Sequence, residues 1–524
     1  MKKRYKDIAI EIAIPIIISL FALLLRLYFF QGFILGDDPM EVSLVEYVLD
    51  NGPNFLDQLG IRFGLWIFNV PLVKLFGMSE FSFFLPTLLM SATFALIGYY
   101  LLTFWRYPRI HAFLASLFIA SAPFEVLLGT VRANDVIFSW LMALGFFSFI
   151  VFEKKPVLQG LLVSFFLWFA FYVKIWVVYI FPALGLYYLV QIIKHKKWRG
   201  FISFFLFSAL FHGITSIFWE IKTGSFIPYI YYHPATYPTP KDQLLYLFQV
   251  YPKMIFQGSD FGTTLFGMIP YLLIFLLILK AVLPKTKKRF KKLLGFDKID
   301  IYLLVYYGSF FLFLNFFPNT FQFDQFYSAP RIFRYLAPIS FPMTLHLAKL
   351  ILDFSRISFT ADIIGKCSLV LLFMILIFVN IHQTNIATKP GQIYRETLFS
   401  IVKDVKEQSP PKLVVESWAS FFLRKFYLRE EQDTISIVPI YNIHDAKKYE
   451  QWLQENQHNL TEGSMMISGI GSYVQYGCHN CGFRLRQFNG SLDPGWKLFK
   501  EYQNQSYLPI PEPARLWVWL PSAK

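Results

Sequence analysis

Long apolar runs recur along this chain, separated by short polar joints. Eleven stand out, at 8–30, 80–104, 110–128, 135–152, 156–173, 175–193, 200–220, 263–283, 300–317, 332–351 and 363–382. A helix needs about 20 apolar residues to cross a hydrocarbon core. The pattern therefore predicts an α-helical polytopic membrane protein with about 11 transmembrane helices. The joint at Lys174 leaves two readings, a boundary between two spans or the middle of one broken unit.

Three stretches depart from this rhythm. Residues 63–77 are apolar but too short to span, and they lie in a loop covering 31–79. An amphipathic helix in the membrane interface is the natural reading. The loop at 221–262 is long and rich in Pro, Tyr and His, including His233 and Tyr237, as binding loops and lids often are. From about Thr384 the pattern turns polar. Runs at 412–416, 434–438 and 516–519 read as strands, and 446–457 as a helix. The expected organisation is a transmembrane catalytic domain over 1–384 and a small soluble α/β domain over 385–524.

Composition sharpens the membrane assignment. Of 524 residues, 55% are hydrophobic and 16% charged, against about 25% charged in soluble domains. The net charge of +15 is not spread as nucleic-acid binding requires. Basic residues cluster in alternate joints: Lys2 to Arg4, Arg106 with Arg109, Lys154 with Lys155, Lys194 to Arg199, and Lys285 to Lys298. The other joints receive Asp37, Asp38, Glu41, Glu46, Asp50, Asp57, Asp135, Asp242, Asp260 and Asp324. By the positive-inside rule the N-terminus lies in the cytoplasm, and an odd span count puts the polar tail outside. Three cysteines exclude a disulfide-rich scaffold. The first apolar run is too long for a cleaved signal peptide and lacks a small-residue cleavage site, so it reads as a retained span.

The acidic face also gathers the candidate chemistry. Asp37 and Asp38 follow the first span, with Glu41 three residues on and Arg62 later in the same loop. Asp135 opens the fourth span, Lys174 ends the fifth, and Arg331 and Arg334 open the tenth. Carboxylates can deprotonate a hydroxyl or hold a divalent metal. Lys and Arg can bind a phosphate and offset charge developing on it. Each group also has a plainer reading. The aspartate pair suits a polar helix stop, Asp135 an N-cap, Lys174 a snorkelling side chain, and the arginines partners for loop acids or lipid headgroups. His233 and Tyr237 read as loop packing, and Arg26 as facing protein within the first span. Cys478 and Cys481 form a lone C-x-x-C without a second pair, which reads as a local disulfide or two plain thiols rather than a metal site. Sequons begin at Asn459, Asn489 and Asn504.

The order of these pieces resembles the GT-C membrane glycosyltransferases, in the branch of protein O-mannosyltransferase-like and aminoarabinose-transferase-like enzymes. The resemblance rests on the acidic pair after the first span, then Pro71-Leu72 leading into Leu75-Phe76-Gly77-Met78-Ser79-Glu80. It continues with Ser121-Ala122-Pro123, Arg132 with Asp135, Lys174, and Arg334-Tyr335-Leu336-Ala337-Pro338. Arg62-Phe63-Gly64-Leu65 and Asn69-Val70-Pro71-Leu72 stand where many members carry His-Pro-Pro-Leu, which marks a divergent subgroup. The resemblance implies an inverting transferase that moves a sugar from a polyprenyl-phosphate donor to a glycan, lipid or protein acceptor on the extracytoplasmic face. It implies Asp38 or Asp37 as catalytic base, Asp135 and Glu41 on acceptor or metal, and Lys174, Arg334, Arg331 and Arg62 on the donor phosphate. A divalent metal is a possible cofactor, and the motif set points to a bacterial inner membrane. The rival reading is a secondary transporter or lipid-linked-glycan flippase, which calls for midplane charges and inverted repeats. The charges here lie at a boundary, and the sequence holds no repeat.

Overall fold

The computed structural model describes residues 2–33, 38–53, 62–224, 244–257, 265–286, 295–316, 333–358, 363–440, 455–468, 495–502 and 514–520. Asp37, Arg331, His233, Tyr237, Cys478, Cys481, Asn489, Asn504 and most of the helix expected at 446–457 lie outside the described residues.

The chain is a mostly helical membrane bundle followed by a small sheet. Its helices are α1 (Lys2–Tyr28), α2 (Asp38–Asn51), α3 (Asn69–Phe76), α4 (Glu80–Phe104), α5 (Arg109–Ala120), α6 (Pro123–Gly129), α7 (Asn134–Val151) and α8 (Pro156–Phe171). They continue with α9 (Phe181–His195), α10 (Arg199–Thr223), α11 (Leu244–Phe256), α12 (Ile269–Thr286), α13 (Lys298–Phe316), α14 (Ala337–Ser358), α15 (Ile363–Gln408) and α16 (Ser417–Phe422). All eleven apolar runs fall on helices. Eight are long and apolar enough to cross a membrane, and α5 with α6 makes a ninth bent by 56°. The remaining two, Pro156–Phe171 and Ile269–Val282, are apolar but shorter. At Lys174 the chain leaves α8, takes a 3-10 segment over Ile175–Ile180 and enters α9.

Burial sorts the helices. In the span Arg334–Arg356, 94% of the window is buried, against 6% in Arg199–Lys222. Helix α14 is thus the central post, and α10 offers its apolar side chains to lipid. A charge inside such a bundle must be hydrogen-bonded or paired. Arg26 meets that demand with backbone carbonyls. It donates to Ser91 Oγ at 2.7 Å, and to the carbonyls of Ala22, Ser91 and Ala120 at 2.9–3.1 Å. Those bonds join α1 to α4 and to the break between α5 and α6. Pro123 at the first position of α6 starts the new direction there.

Helix α15 runs 46 residues without a break, through position 384, and delivers the chain to the sheet. At about 1.5 Å per residue it is roughly 70 Å long, more than a bilayer core requires. The strands are β1 (Lys412–Glu416), β2 (Ser436–Ile440), β3 (Met465–Ser468), β4 (Trp496–Tyr502) and β5 (Ala514–Trp519). Their order is β2-β1-β3-β5-β4, parallel across β2-β1-β3 and antiparallel beyond. This part rests on the loop after α1. Phe33 packs on Phe422 and Phe426 at 4.7 and 4.9 Å between ring centroids. Lys425 pairs with Glu46 on α2 at 2.7 Å, and Glu80 accepts from Arg395 and Tyr427.

Candidate active site

Two backbone junctions assemble the site. At the first, the amides of Gln31 and Gly32 both donate to the Thr130 carbonyl at 3.2 Å, and Gly32 bridges to Val131 in parallel. Gly32 has φ +80°, and a Cβ there would lie 3.1–3.2 Å from Arg395 and Glu80 side-chain atoms, so only glycine suits it. This junction lays Gly32, six residues before Asp38, beside Val131, four residues before Asp135. At the second, the Gly64 amide donates to the Tyr172 carbonyl at 3.3 Å. A Cβ on Gly64 would lie 2.3 Å from Val173 Cγ2. That close approach brings Arg62 against Lys174.

One cluster is rich in cations. Lys174 Nζ donates to Asp135 Oδ1 at 2.5 Å, and Arg334 Nε lies 3.7 Å from Asp135 Oδ2. Lys174 sits over the rings of Tyr335 and Trp176, 4.5 and 5.1 Å from their centroids. Arg62 Nε is buried with no hydrogen-bond partner among the described residues. Burial pushes the Lys174 ammonium down to about 8; Asp135 opposes the shift, and the positive charges of Arg334 and Arg62 add to it. The Lys174 and Arg334 side chains keep 12% of their surface exposed, against 2% for Asp135. The cations, not the acid, face what enters.

Asp135 is therefore not the N-cap that its position suggests. Ala133 takes that place without a side-chain cap, and the carboxylate is spent on Lys174 and Arg334.

The adjoining cluster surrounds α2. Asp38 starts that helix, where a negative charge suits the helix dipole, and it is fully buried. One turn on, Glu41 accepts from Asn134 Nδ2 and pairs with Arg132 Nε at 3.2 Å. Arg132 also donates to Asn69 Oδ1 at 3.0 Å and is 1% exposed. Asn69 in turn donates to the Ser82 and Phe83 carbonyls. The structure thus brings Asp38 and Glu41 together on one side, and Asp135, Lys174, Arg334 and Arg62 on the other, joined by the successive residues Asn134 and Asp135. Arg132 and Asn69 were not expected as site residues. The signal for Arg132 was its place three residues before Asp135 in a joint with few other charges.

The donor set bears on a metal. Both Glu41 and Asp135 are engaged by cations, which leaves them poor ligands for another. Among the described residues, the group with reach for a cation is Asp297, Asp300 and Asp353, whose oxygens lie within 4.8 Å of one another. These lie at the opposite end of α14. Lys280 and Lys349 already fill the space, each 2.7–2.8 Å from both Asp300 and Asp353. His346 and Tyr107 complete the network. The triad does not fit a metal while those lysines occupy it.

A polytopic bundle with a polar site at one boundary, a bent helix pair and a sheet beyond its last long helix defines the class: a multi-pass helical membrane protein with the fold of the solved ArnT structures. The chain is similar to ArnT from Cupriavidus metallidurans, the aminoarabinose transferase. Against ArnT in the apo state the TM-score is 0.52 at 11% identity, covering 89% of this chain and 93% of that one. Against ArnT bound to undecaprenyl phosphate it is 0.51 at 10% identity, covering 86% and 92%. No protein-family model matches the chain, and no curated protein sequence matches it.

Proposed function

We propose that the protein is an inverting glycosyltransferase that uses a sugar linked to a polyprenyl phosphate. The observation that carries this reading is the meeting of Lys174, Arg334 and Arg62 around the single described carboxylate of Asp135, next to the buried Asp38. Phosphate binding calls for that excess of donors. The ArnT fold, captured in one case with undecaprenyl phosphate, supports a polyprenyl carrier.

In this mechanism Asp38 takes the proton of an acceptor hydroxyl or amine, with Asp37 the alternative base. The acceptor attacks the anomeric carbon from the face opposite the phosphate. The bond between that carbon and the phosphate oxygen breaks, and the electron pair leaves with the lipid phosphate. Lys174, Arg334 and Arg62, with Arg331 from the same joint, stabilise that charge. Such preorganised donors act most strongly where water is excluded. Asp135 orients Lys174 and Arg334, and Glu41 orients Arg132 and so the start of α2.

The distribution of basic joints supports a cytoplasmic N-terminus, with the site and the sheet on the far side of the membrane, and the motif set points to a bacterial inner membrane. The acceptor, whether glycan, lipid or protein, then comes from outside. Comparing envelope glycans, lipids and proteins by mass spectrometry, with and without the gene, identifies the sugar and acceptor. In a purified transfer assay, D38N or D37N loses transfer while the protein still accumulates in the membrane. Full transfer by the double variant contradicts the mechanism.

A further inference from the structure

The end of the bundle away from the site holds a cavity of about 570 Å³. Helices α7, α9 and α13 enclose it with Phe146, Phe149, Ala183, Val190, Val305 and Tyr306 among its walls. The volume falls in the range of about 300–1,000 Å³ usual for a bound organic ligand, and its walls are apolar. Its lips, Leu186, Val190 and Ile301, are 55%, 37% and 51% exposed on spans that face lipid. The cavity therefore opens sideways into the hydrocarbon.

Its polar end is basic. Lys194 closes α9 and Lys298 opens α13, both on the cavity wall and exposed. Lys196, Lys197 and Arg199 follow within five residues of Lys194 and are exposed as well. Among the described residues, Glu153 pairs with Lys298 and accepts from Tyr187, and Asp297 beside Lys298 pairs with the buried Lys349, so the five basic residues outnumber the acids at this rim. An apolar slot open to lipid beneath a cationic rim has the charge and shape of a site for an anionic phospholipid.

We propose that this cavity binds one acyl chain of an anionic glycerophospholipid from the leaflet at the basic face, its phosphate on Lys194 and Lys298. The site is separate from the cluster assigned to sugar transfer. The assignment does not depend on that reaction, because none of its residues belongs to that cluster.

Native mass spectrometry of the purified full chain tests it, with phosphatidylglycerol and phosphatidylethanolamine supplied in equal amounts. The wild-type protein retains phosphatidylglycerol in preference. The K194A/K298A double variant loses roughly thirtyfold in that retention, the scale of two interfacial cations on an anionic lipid. V190W, which fills the slot and leaves the rim charge unchanged, loses it too. Equal retention of the two lipids, or retention unchanged in both variants, overturns the assignment. So does displacement of phosphatidylglycerol from the wild type by undecaprenyl phosphate, which makes the cavity a carrier site. A folding defect is separated by the elution profile and by polyprenyl-phosphate binding at the far cluster, which both variants keep.

Discussion

The two ends of the central helix α14 carry charge in opposite ways. At one end two lysines lie among three aspartates, with His346 and Tyr107 closing the network. At the other, Lys174, Arg334 and Arg62 share one described carboxylate. Both clusters are largely buried, so burial alone does not mark a functional site. The sign of the surplus does. A buried network in which every lysine is met by carboxylates of the fold itself holds helices together. One with surplus cations and some open surface is prepared for an anion that the fold does not itself provide.

The largest effect expected from breaking this contrast is on chemistry. Asp38→Asn removes a general base and lowers transfer by about 10²–10⁴-fold, read as initial rate at saturating donor with the thermal midpoint unchanged. Next, Lys280→Met leaves Asp297, Asp300 and Asp353 to share one lysine. Removing one partner of a buried ion network costs about 3–5 kcal/mol, which appears as a lower unfolding midpoint in detergent with the transfer rate per folded molecule retained. Lys174→Met gives the reverse pattern. Losing a charge-assisted bond to phosphate is worth about 1.5–3 kcal/mol, so donor affinity falls by roughly tenfold to a hundredfold while the midpoint holds.

The Lys174 ammonium also makes the contrast pH-dependent. Its folded value of about 8 lies below the ordinary 10.5. Between those values the folded protein binds fewer protons than the unfolded chain, so this group adds stability as pH rises. Donor affinity moves the other way and weakens as pH passes about 8. A titration of donor binding from pH 7 to pH 9.5 reads the fall, and Lys174→Arg flattens it. The smallest effect belongs to Lys425→Ala. Its pair with Glu46 is 41% and 26% exposed, and such pairs contribute about 0–1 kcal/mol.

Much of this was legible in the chain. Apolar runs marked where the membrane helices lie, eight of them long and apolar enough to cross, because membrane burial acts on length and hydropathy, which are local properties. The alternation of charge separated the two ends of α14, and order along the chain pointed to Asp38 or Asp37, with Lys174, Arg334 and Arg62, as candidates. Pairing was not legible. Arg132 with Glu41 and Asn69, or Lys280 with Asp300 and Asp353, depend on helix neighbours far apart in sequence. Asp135 looked like a cap because its local position is that of a cap. Only the fold shows that Lys174 competes for it. The sheet was partly visible as three strand-like runs, but the pairing of β5 with β3 and β4 was not.

The most direct measurement is the binding of polyprenyl phosphate to purified protein at pH 7, comparing Lys174→Met with Lys280→Met. The account predicts that Lys174→Met binds at least about tenfold more weakly and that folded Lys280→Met binds as the wild type does. Wild-type affinity in Lys174→Met, or equal loss in both variants, contradicts the claim that the cation-rich end of α14 is the phosphate site.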